Sequence, residues 1–356
     1  MNILSLFDWI SCGRIALERA GIQVDNYFAS EIDKYAIQIA KKNHPDTIHI
    51  GSVTDVLYCD WTIYWPDLSM MHKDANIDMI IWWSPCQDLS IAKKDWKGLQ
   101  WEKSWLFFEY VRLLKEIKPK YFLLENVASM KNADKEEITR VLTEVYPDVQ
   151  CYLINSALVA AQNRKRLYWT NIQWVEQPED KWIILQDVLQ DGAEVDERMV
   201  VKWKSYSLTA SYNWAVEWNS VAKKQRTMVR ASLVALRNRW EWKKPEFNGT
   251  EKANSMTTVQ TDSMVFVGNQ FNNRIFTDKT GTLWTWMWRT AKQWLAIYKD
   301  EISEKWFIRK LTPIECERLQ TLPDNYTEWV SNTQRYKAVW NWWTVDVISH
   351  IFSYLK

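Results

Sequence analysis

Asn2-Ile3-Leu4-Ser5-Leu6-Phe7-Asp8-Trp9-Ile10-Ser11-Cys12-Gly13 opens the chain as a short apolar run that breaks into a polar turn. Asn2–Phe7 has the length and apolar content of a buried strand. Ser11 is placed to cap a helix running through Leu17 and Ala20, and Gly21 is positioned as its stop. A strand that opens into a helix through a glycine-containing turn lets backbone amides approach a nucleotide or an adenosyl group. Gly13 is the one glycine in this turn, so the turn alone carries little weight.

Outward from this unit the pattern repeats. Tyr27–Ser30 reads as a second strand, followed by a helix from Asp33 to about Lys42. Ile77–Trp82, Tyr121–Leu124 and Gln150–Ile154 read as further strands, with helices Leu106–Ile117 and Lys135–Val145 between them. Strands alternating with helices predict an α/β fold, a doubly wound and mostly parallel sheet, whose ligands bind at the carboxyl ends of the strands. Glu31 follows the second strand at about the twenty-residue distance at which an acid meets ribose hydroxyls. Taken alone, it is a solvated surface acid.

The chain has 356 residues, 47% of them apolar and 25% charged, with a net charge of +1. No apolar run approaches the ~18 residues of a membrane span, and the N-terminus lacks a basic leader and a cleavage site. The cysteines (12, 59, 86, 151 and 316) are odd in number and form no CxxC pair, and there are four histidines. That usage predicts a reduced, cytoplasmic compartment with neither a disulfide framework nor a structural zinc. A metal-dependent hydrolase is disfavoured for want of ligand clusters, and a nicotinamide dehydrogenase for want of its glycine pattern.

The texture divides the chain at 1–172, 173–305 and 306–356. The middle part is polar and turn-rich. Within residues 201–250 ten Lys and Arg face three Glu, an excess that suits a polyanion or, more plainly, a solvated basic face. Helical signals return at Thr312–Gln320, where Thr312 and Glu315 have capping-box spacing, and from Thr344 to Tyr354.

Three elements could carry chemistry. Ser84-Pro85-Cys86-Gln87-Asp88-Leu89-Ser90 follows the strand at Ile77–Trp82. A cysteine on such a loop is positioned as a nucleophile if its thiolate is accessible, although most lone cysteines are buried and inert. The next strand delivers Glu125-Asn126-Val127 to the same edge, and beyond it alternation puts Gln162, Arg164 and Arg166 on one face of an extended segment.

Together these motifs resemble the cytosine-5 DNA methyltransferase family. The stretch SPCQDLSIAKKDWKGLQWEKSWLF (84–107) is most similar to the vertebrate de novo enzymes and their phage and bacterial relatives. Arg309-Lys310-Leu311-Thr312-Pro313-Ile314-Glu315 with Arg318-Leu319-Gln320 resembles the family's ninth motif, and Ala338-Val339-Trp340-Asn341 its tenth. The resemblance covers roughly 1–172 and 305–356. It implies an S-adenosylmethionine-dependent methyltransferase fold, with 1–172 as catalytic and cofactor-binding domain. Residues 173–305 then stand as a smaller, irregular target-recognition domain, and 306–356 return to the catalytic domain.

The resemblance further implies that Cys86 adds to carbon 6 of a flipped-out cytosine, Glu125 holds ring nitrogen 3, and Arg164 polarises the base carbonyl with Arg166 beside it. Phe7, Asp8, Ser11, Gly13, Glu31, Ile32, Ser52 and Asn341 would bind S-adenosylmethionine. The family's acid after the third-strand glycine is missing: Gly51 is followed by Ser52, and Asp55 lies three residues on. Double-stranded DNA is the expected partner of a monomer without metal or membrane. A tRNA cytosine methyltransferase and a catalytically impaired DNA-binding homologue are the alternatives, and the size of 173–305 favours DNA.

Composition adds one departure. There are 25 Trp and 8 Gly, where ordinary chains carry roughly 7% Gly. The family expects glycine at Trp9, at one or both of Trp82 and Trp83, and at Trp340, and tryptophan also falls in apparent loops at Trp61, Trp65, Trp96 and Trp101. Either tryptophan stands throughout at glycine positions, one base separating GGG from TGG, or the protein is a Trp-rich homologue that binds cofactor poorly.

Overall fold

The computed structural model describes residues 1–65, 70–83, 105–208, 212, 220–232, 306–340 and 343–355; Cys86, Asn341, Trp96 and Trp101 lie outside them. Residues 1–188, 207–210 and 312–356 form one compact unit, and 189–206 with 211–311 form another. The sequence-based boundary at 172/173 thus falls sixteen residues before the end of the first unit's long N-terminal stretch at Val188.

In the first unit β1 (Asn2–Leu6) leads through a turn to α1 (Cys12–Arg19), then β2 (Asn26–Ser30), α2 (Lys34–Asn43) and β3 (Ile48–Gly51). A hairpin sheet of β4 (Leu57–Cys59), β5 (Thr62–Trp65) and β6 (Met70–His72) follows. Next come β7 (Met79–Trp83), α3 (Trp105–Ile117), β8 (Tyr121–Val127), α4 (Asn132–Val145), β9 (Gln150–Asn155), β10 (Lys165–Thr170) and α5 (Leu185–Val188). In the second unit β11 (Ala193–Val195), β12 (Met228–Ser232) and β13 (Trp306–Lys310) form an antiparallel sheet. The first unit then closes with α6 (Pro313–Leu319), α7 (Asn332–Trp340) and α8 (Val345–Phe352).

The main sheet has the order β3-β2-β1-β7-β8-β10-β9. β3, β2, β1, β7 and β8 run parallel, and β10 runs against both its neighbours. The chain builds outward from β1 to β3 and returns to β7 on the other side of β1, so strand order reverses between β1 and β7. A reversal of this kind leaves a crevice at the carboxyl ends of the strands.

Alternation along β1 splits the core in two. Ile3 packs with Tyr27, Met79 and the apolar faces of α1 and α8, including Ile15, Val347 and Ile351. Leu4 packs on the other face with Phe28, Ile80, Leu124 and the faces of α3 and α4, including Leu114, Ile138 and Leu142. Both faces are covered, which is why these strands read as continuous apolar runs. Each such Leu, Ile or Phe contributes about 1.5–3 kcal/mol by leaving water. Gly13 lets α1 lie this close: a Cβ there would sit 2.4 Å from Ile81 Cδ1 and 2.9 Å from Tyr27 Oη.

The helix starts differ from one another. Asp33 caps α2, accepting from the amides of Tyr35 (2.9 Å) and Ala36 (3.1 Å), and Thr312 with Glu315 forms the capping box expected for α6. Ser11 does not cap α1 as the sequence predicts. Its backbone is left-handed (φ 58°), its side chain accepts no helix amide, and its hydroxyl donates to Asp8 instead.

Tryptophan recurs at left-handed backbone. Of fourteen non-glycine residues with positive φ among the described residues, five are Trp: 9, 61, 174, 182 and 203. Cys59 pairs with Thr62 across Asp60 (φ 48°) and Trp61 (φ 59°), a two-residue hairpin turn with both residues left-handed. Val201 pairs with Lys204 across Lys202 (φ 50°) and Trp203 (φ 62°) in the same way. Asp-Gly and Asn-Gly are the sequences that such turns favour, so these two tryptophans occupy the glycine position. Trp174 and Trp182 are each 80% exposed and pack no core. Trp65, assigned to a loop from sequence, lies in β5.

Candidate active site

Strand register lines up the carboxyl edge of the sheet. Leu6 pairs with Ser30 and with Trp82, and Trp83 pairs with Glu125. Phe7, Glu31, Trp83 and Glu125 therefore follow in one row. β10 enters the same edge from the opposite direction, with Arg166 opposite Val127.

Glu125 is 1% exposed on a strand that runs to Val127, three residues beyond its predicted end. Arg166 Nε lies 2.8 Å from Glu125 Oε1. Burial pushes the carboxyl above its ordinary range, while the charges of Arg166 and Arg164 and the neighbouring Trp343 pull it partly back. A buried carboxyl raised in this way can exist protonated and donate a hydrogen bond. Arg164 is buried as well: Nη1 donates to Ser207 Oγ (3.2 Å) and its amide to Asn155 Oδ1 (3.0 Å). Gln162, on the same face by alternation, has a bracing role. Its Nε2 donates to the Leu319 carbonyl (3.4 Å), and its Oε1 accepts from the Leu208 amide (3.3 Å).

At the other end of the row the turn after β1 carries three left-handed residues, Phe7 (57°), Trp9 (54°) and Ser11 (58°). Asp8 is buried within it; Tyr27 Oη donates to Asp8 Oδ1 (2.7 Å) and Ser11 to Oδ2, while the Asp8 amide donates to the Ser30 carbonyl (3.0 Å). Tyr326 Oη donates to the Ile10 carbonyl (2.7 Å). Glu31 is 9% exposed. Its Oε2 accepts from the Trp9 amide (3.0 Å), and its Oε1 from the amides of Ile32 and Asp33 (2.7 Å each). Burial raises this carboxyl, and the three amides pull it down. Ile32, next to it, is 76% exposed.

Ser52 follows β3 and accepts from the Thr54 amide (3.4 Å). Phe7 lies against Trp82 (centroids 6.0 Å apart), whose ring also meets Phe107 (5.7 Å) and Tyr110 (4.8 Å). The edge thus gathers Phe7, Asp8 and Ser11 in the turn, with Gly13 at the start of α1 and Glu31 after β2 beside it, and Glu125, Arg164 and Arg166 in one cluster. Tyr27 and Trp343 escaped sequence reasoning. Tyr27 faces Asp8 only because β2 pairs with β1, and nothing in its local sequence marks it. Among the described residues there is no group of three or more His, Cys, Asp or Glu placed to hold a metal, and no helix long and apolar enough to cross a membrane.

The family model for C-5 cytosine-specific DNA methylase matches residues 1–356. The orphan methyltransferase M.SPRI of Bacillus phage SPR is 25% identical, covering 100% of this chain and 97% of its own. The type II methyltransferase M1.ScrFI of Lactococcus lactis subsp. cremoris is 26% identical over 98% of this chain and 76% of its own. Among solved structures, the Entamoeba histolytica methyltransferase EhMeth superposes with a TM-score of 0.58 at 15% identity, covering 99% of this chain and 97% of that one. DNMT2 of Spodoptera frugiperda gives 0.55 at 18%, covering 98% and 97%. At these identities the structures speak for the fold.

Proposed function

The chain belongs to the C-5 cytosine-specific DNA methylase family, and we propose that within it Cys86 is the nucleophile and Glu125, Arg164 and Arg166 the groups that hold the base. The register of β7 on β8 supports this most directly: Trp83 pairs with Glu125, and the three residues from Trp83 to Cys86 span at most about 11 Å of chain. The Cys86 thiolate adds to carbon 6 of a cytosine drawn out of the duplex, at an unstacking cost of a few kcal/mol. The addition makes carbon 5 nucleophilic. Glu125, kept protonatable by its burial, donates to ring nitrogen 3 and neutralises the charge that develops there. Arg164 polarises the base carbonyl, and Arg166 holds the Glu125 carboxyl in place. After carbon 5 is alkylated, loss of its proton re-forms the ring double bond and expels the Cys86 thiolate.

The family's cofactor, S-adenosylmethionine, supplies a sulfonium-bound methyl group that needs no metal activation. Its residues here are those of the turn and its neighbours: the Glu31 carboxylate for the ribose hydroxyls, the exposed Ile32 side chain for the adenine face, and Phe7, Asp8, Ser11, Gly13, Ser52 and Asn341 around them. The donor set fits, because Glu31 directly follows β2 and its carboxylate lies against the turn that leads into α1, where a Cβ at Gly13 would have no room. Asp8 and Ser11 spend their side chains bracing the turn, so their part is to shape the backbone. Residues 173–305, basic over 201–250, would read double-stranded DNA, and the enzyme would act as a cytoplasmic monomer.

The test is covalent capture on duplex DNA carrying 5-fluorocytosine. The complex is expected to form with S-adenosylmethionine present and to vanish in Cys86→Ala. Capture that survives the substitution removes Cys86 from the mechanism.

A further inference from the structure

We infer that Trp9 occupies a glycine position and that its side chain latches the cofactor turn to the C-terminal helix α7, holding the Glu31 carboxylate covered until the latch opens. The inference rests on the assignment of this turn to S-adenosylmethionine. Three observations meet at one residue. The Trp9 backbone is left-handed (φ 54°), a conformation that glycine adopts without steric cost. Its amide donates to Glu31 Oε2 (3.0 Å), which with the Ile32 and Asp33 amides leaves both carboxylate oxygens already engaged. Its indole Nε1 donates to the Ala338 carbonyl (2.9 Å), and Lys337 Nζ sits 5.2 Å from the ring centroid.

The indole therefore spans from the residue that touches Glu31 to the helix that precedes Asn341. The three amides take up three of the roughly four acceptor positions of a carboxylate, so a ribose hydroxyl is left the position on Oε2 beside the Trp9 amide, and the residue supplying that amide is pinned at its far end. Glycine at this position would keep the turn and lose the pin. Other contacts would still hold α7 without the indole. Lys337 Nζ bonds Asp33 Oδ2 (2.7 Å), and Gln320 Nε2 donates to the Val339 carbonyl (3.0 Å). Removal of the side chain is thus expected to free the turn and leave the fold intact.

Calorimetric titration of the full chain with S-adenosylhomocysteine tests the latch, comparing the unaltered protein with Trp9→Gly and with Trp9→Ala. The alanine variant removes the indole while keeping a Cβ, so it serves if the glycine variant folds poorly. Both variants are expected to bind at least tenfold more tightly than the unaltered chain. Amide hydrogen exchange over residues 332–340 should quicken in both, because the Ala338 tether is gone. Equal affinity in all three proteins overturns the latch and leaves the cofactor assignment standing. Failure of every variant to bind overturns both.

Discussion

The two ends of the sheet edge are built on opposite principles. Around Glu125 the backbone is relaxed: no non-glycine residue between 119 and 173 has a positive φ. Arg164, Arg166 and Glu125 face one another on adjacent extended segments. Around Glu31 the turn packs three left-handed residues into five positions, Phe7 to Ser11. A left-handed conformation costs a side-chain-bearing residue roughly 1–2 kcal/mol. On the proposed roles the base-holding end needs particular side chains, and the sequence supplies them. The proposed cofactor end uses left-handed backbone, and the sequence places an indole at one of those positions, Trp9.

The contrast breaks first at the base-holding end. Glu125→Ala removes the proposed donor to ring nitrogen 3 and is expected to lower turnover by about 10²–10⁴-fold, measured with labelled S-adenosylmethionine on duplex DNA. Affinity for S-adenosylhomocysteine should stay unchanged. Loss of both together would mean that the two ends are not separable.

A pair of buried tryptophans sharpens the comparison. Trp169, in β10, donates its Nε1 to Thr139 Oγ1 (2.8 Å), whereas Trp82, beside Phe7, buries its Nε1 without a hydrogen-bond partner among the described residues. Trp169→Phe should cost about 1–3 kcal/mol of unfolding free energy, and Trp82→Phe should lie within about 1 kcal/mol of neutral, since it also removes an unsatisfied donor. Denaturant midpoints compare the two directly. Equal losses would show that Trp82 is as well accommodated as Trp169.

pH separates the ends further. In the proposed mechanism Glu125 acts protonated, and burial raises its pKa above the ordinary 4.5. Turnover should therefore decline as pH rises through that raised value. Arg166 pulls the carboxyl down, so Arg166→Ala should move the decline to higher pH, read from the pH profile of kcat/KM. Stability follows the same sign: a raised folded-state pKa contributes stability below the unfolded value that is lost as pH rises through the folded one.

The smallest effects test the glycine positions at large. Trp61→Gly, Trp174→Gly, Trp182→Gly and Trp203→Gly each relieve left-handed strain of roughly 1–2 kcal/mol against an unfolded-chain cost of about 0.5–1 kcal/mol. A net gain of about 0.5–1 kcal/mol apiece is expected as a rise in Tm. A fall in Tm at these exposed sites would mean that the indoles hold structure and do not merely fill glycine positions.

Much of the fold that carries the proposed site was legible beforehand because its signals are local. The alternation of apolar strands with amphipathic helices pointed to the parallel sheet, and the motifs at Glu125 and Arg164 named side chains that the structure brings together at one edge, while Cys86 lies outside the described residues. The β4–β5–β6 hairpin escaped notice for a definite reason: its turn reads Asp60-Trp61, and the Asp-Gly signal that announces such a hairpin is hidden by the tryptophan. The Lys202-Trp203 turn escaped in the same way. Ser11 carries the residue type of a helix cap, yet its left-handed backbone turns the hydroxyl to Asp8.

The sequence by itself determined which side chains are available and the period at which they recur, since strand and helix periodicities depend on neighbours a few residues apart. Only the tertiary structure decided how they act. The proton affinity of Glu125 is set by burial and by arginines some forty residues away, the Asp8 brace by a tyrosine on the adjoining strand, and the latch at Trp9 by a carbonyl at Ala338. Charge desolvation and backbone handedness are properties of the packed environment, and contacts between distant parts of the chain create that environment.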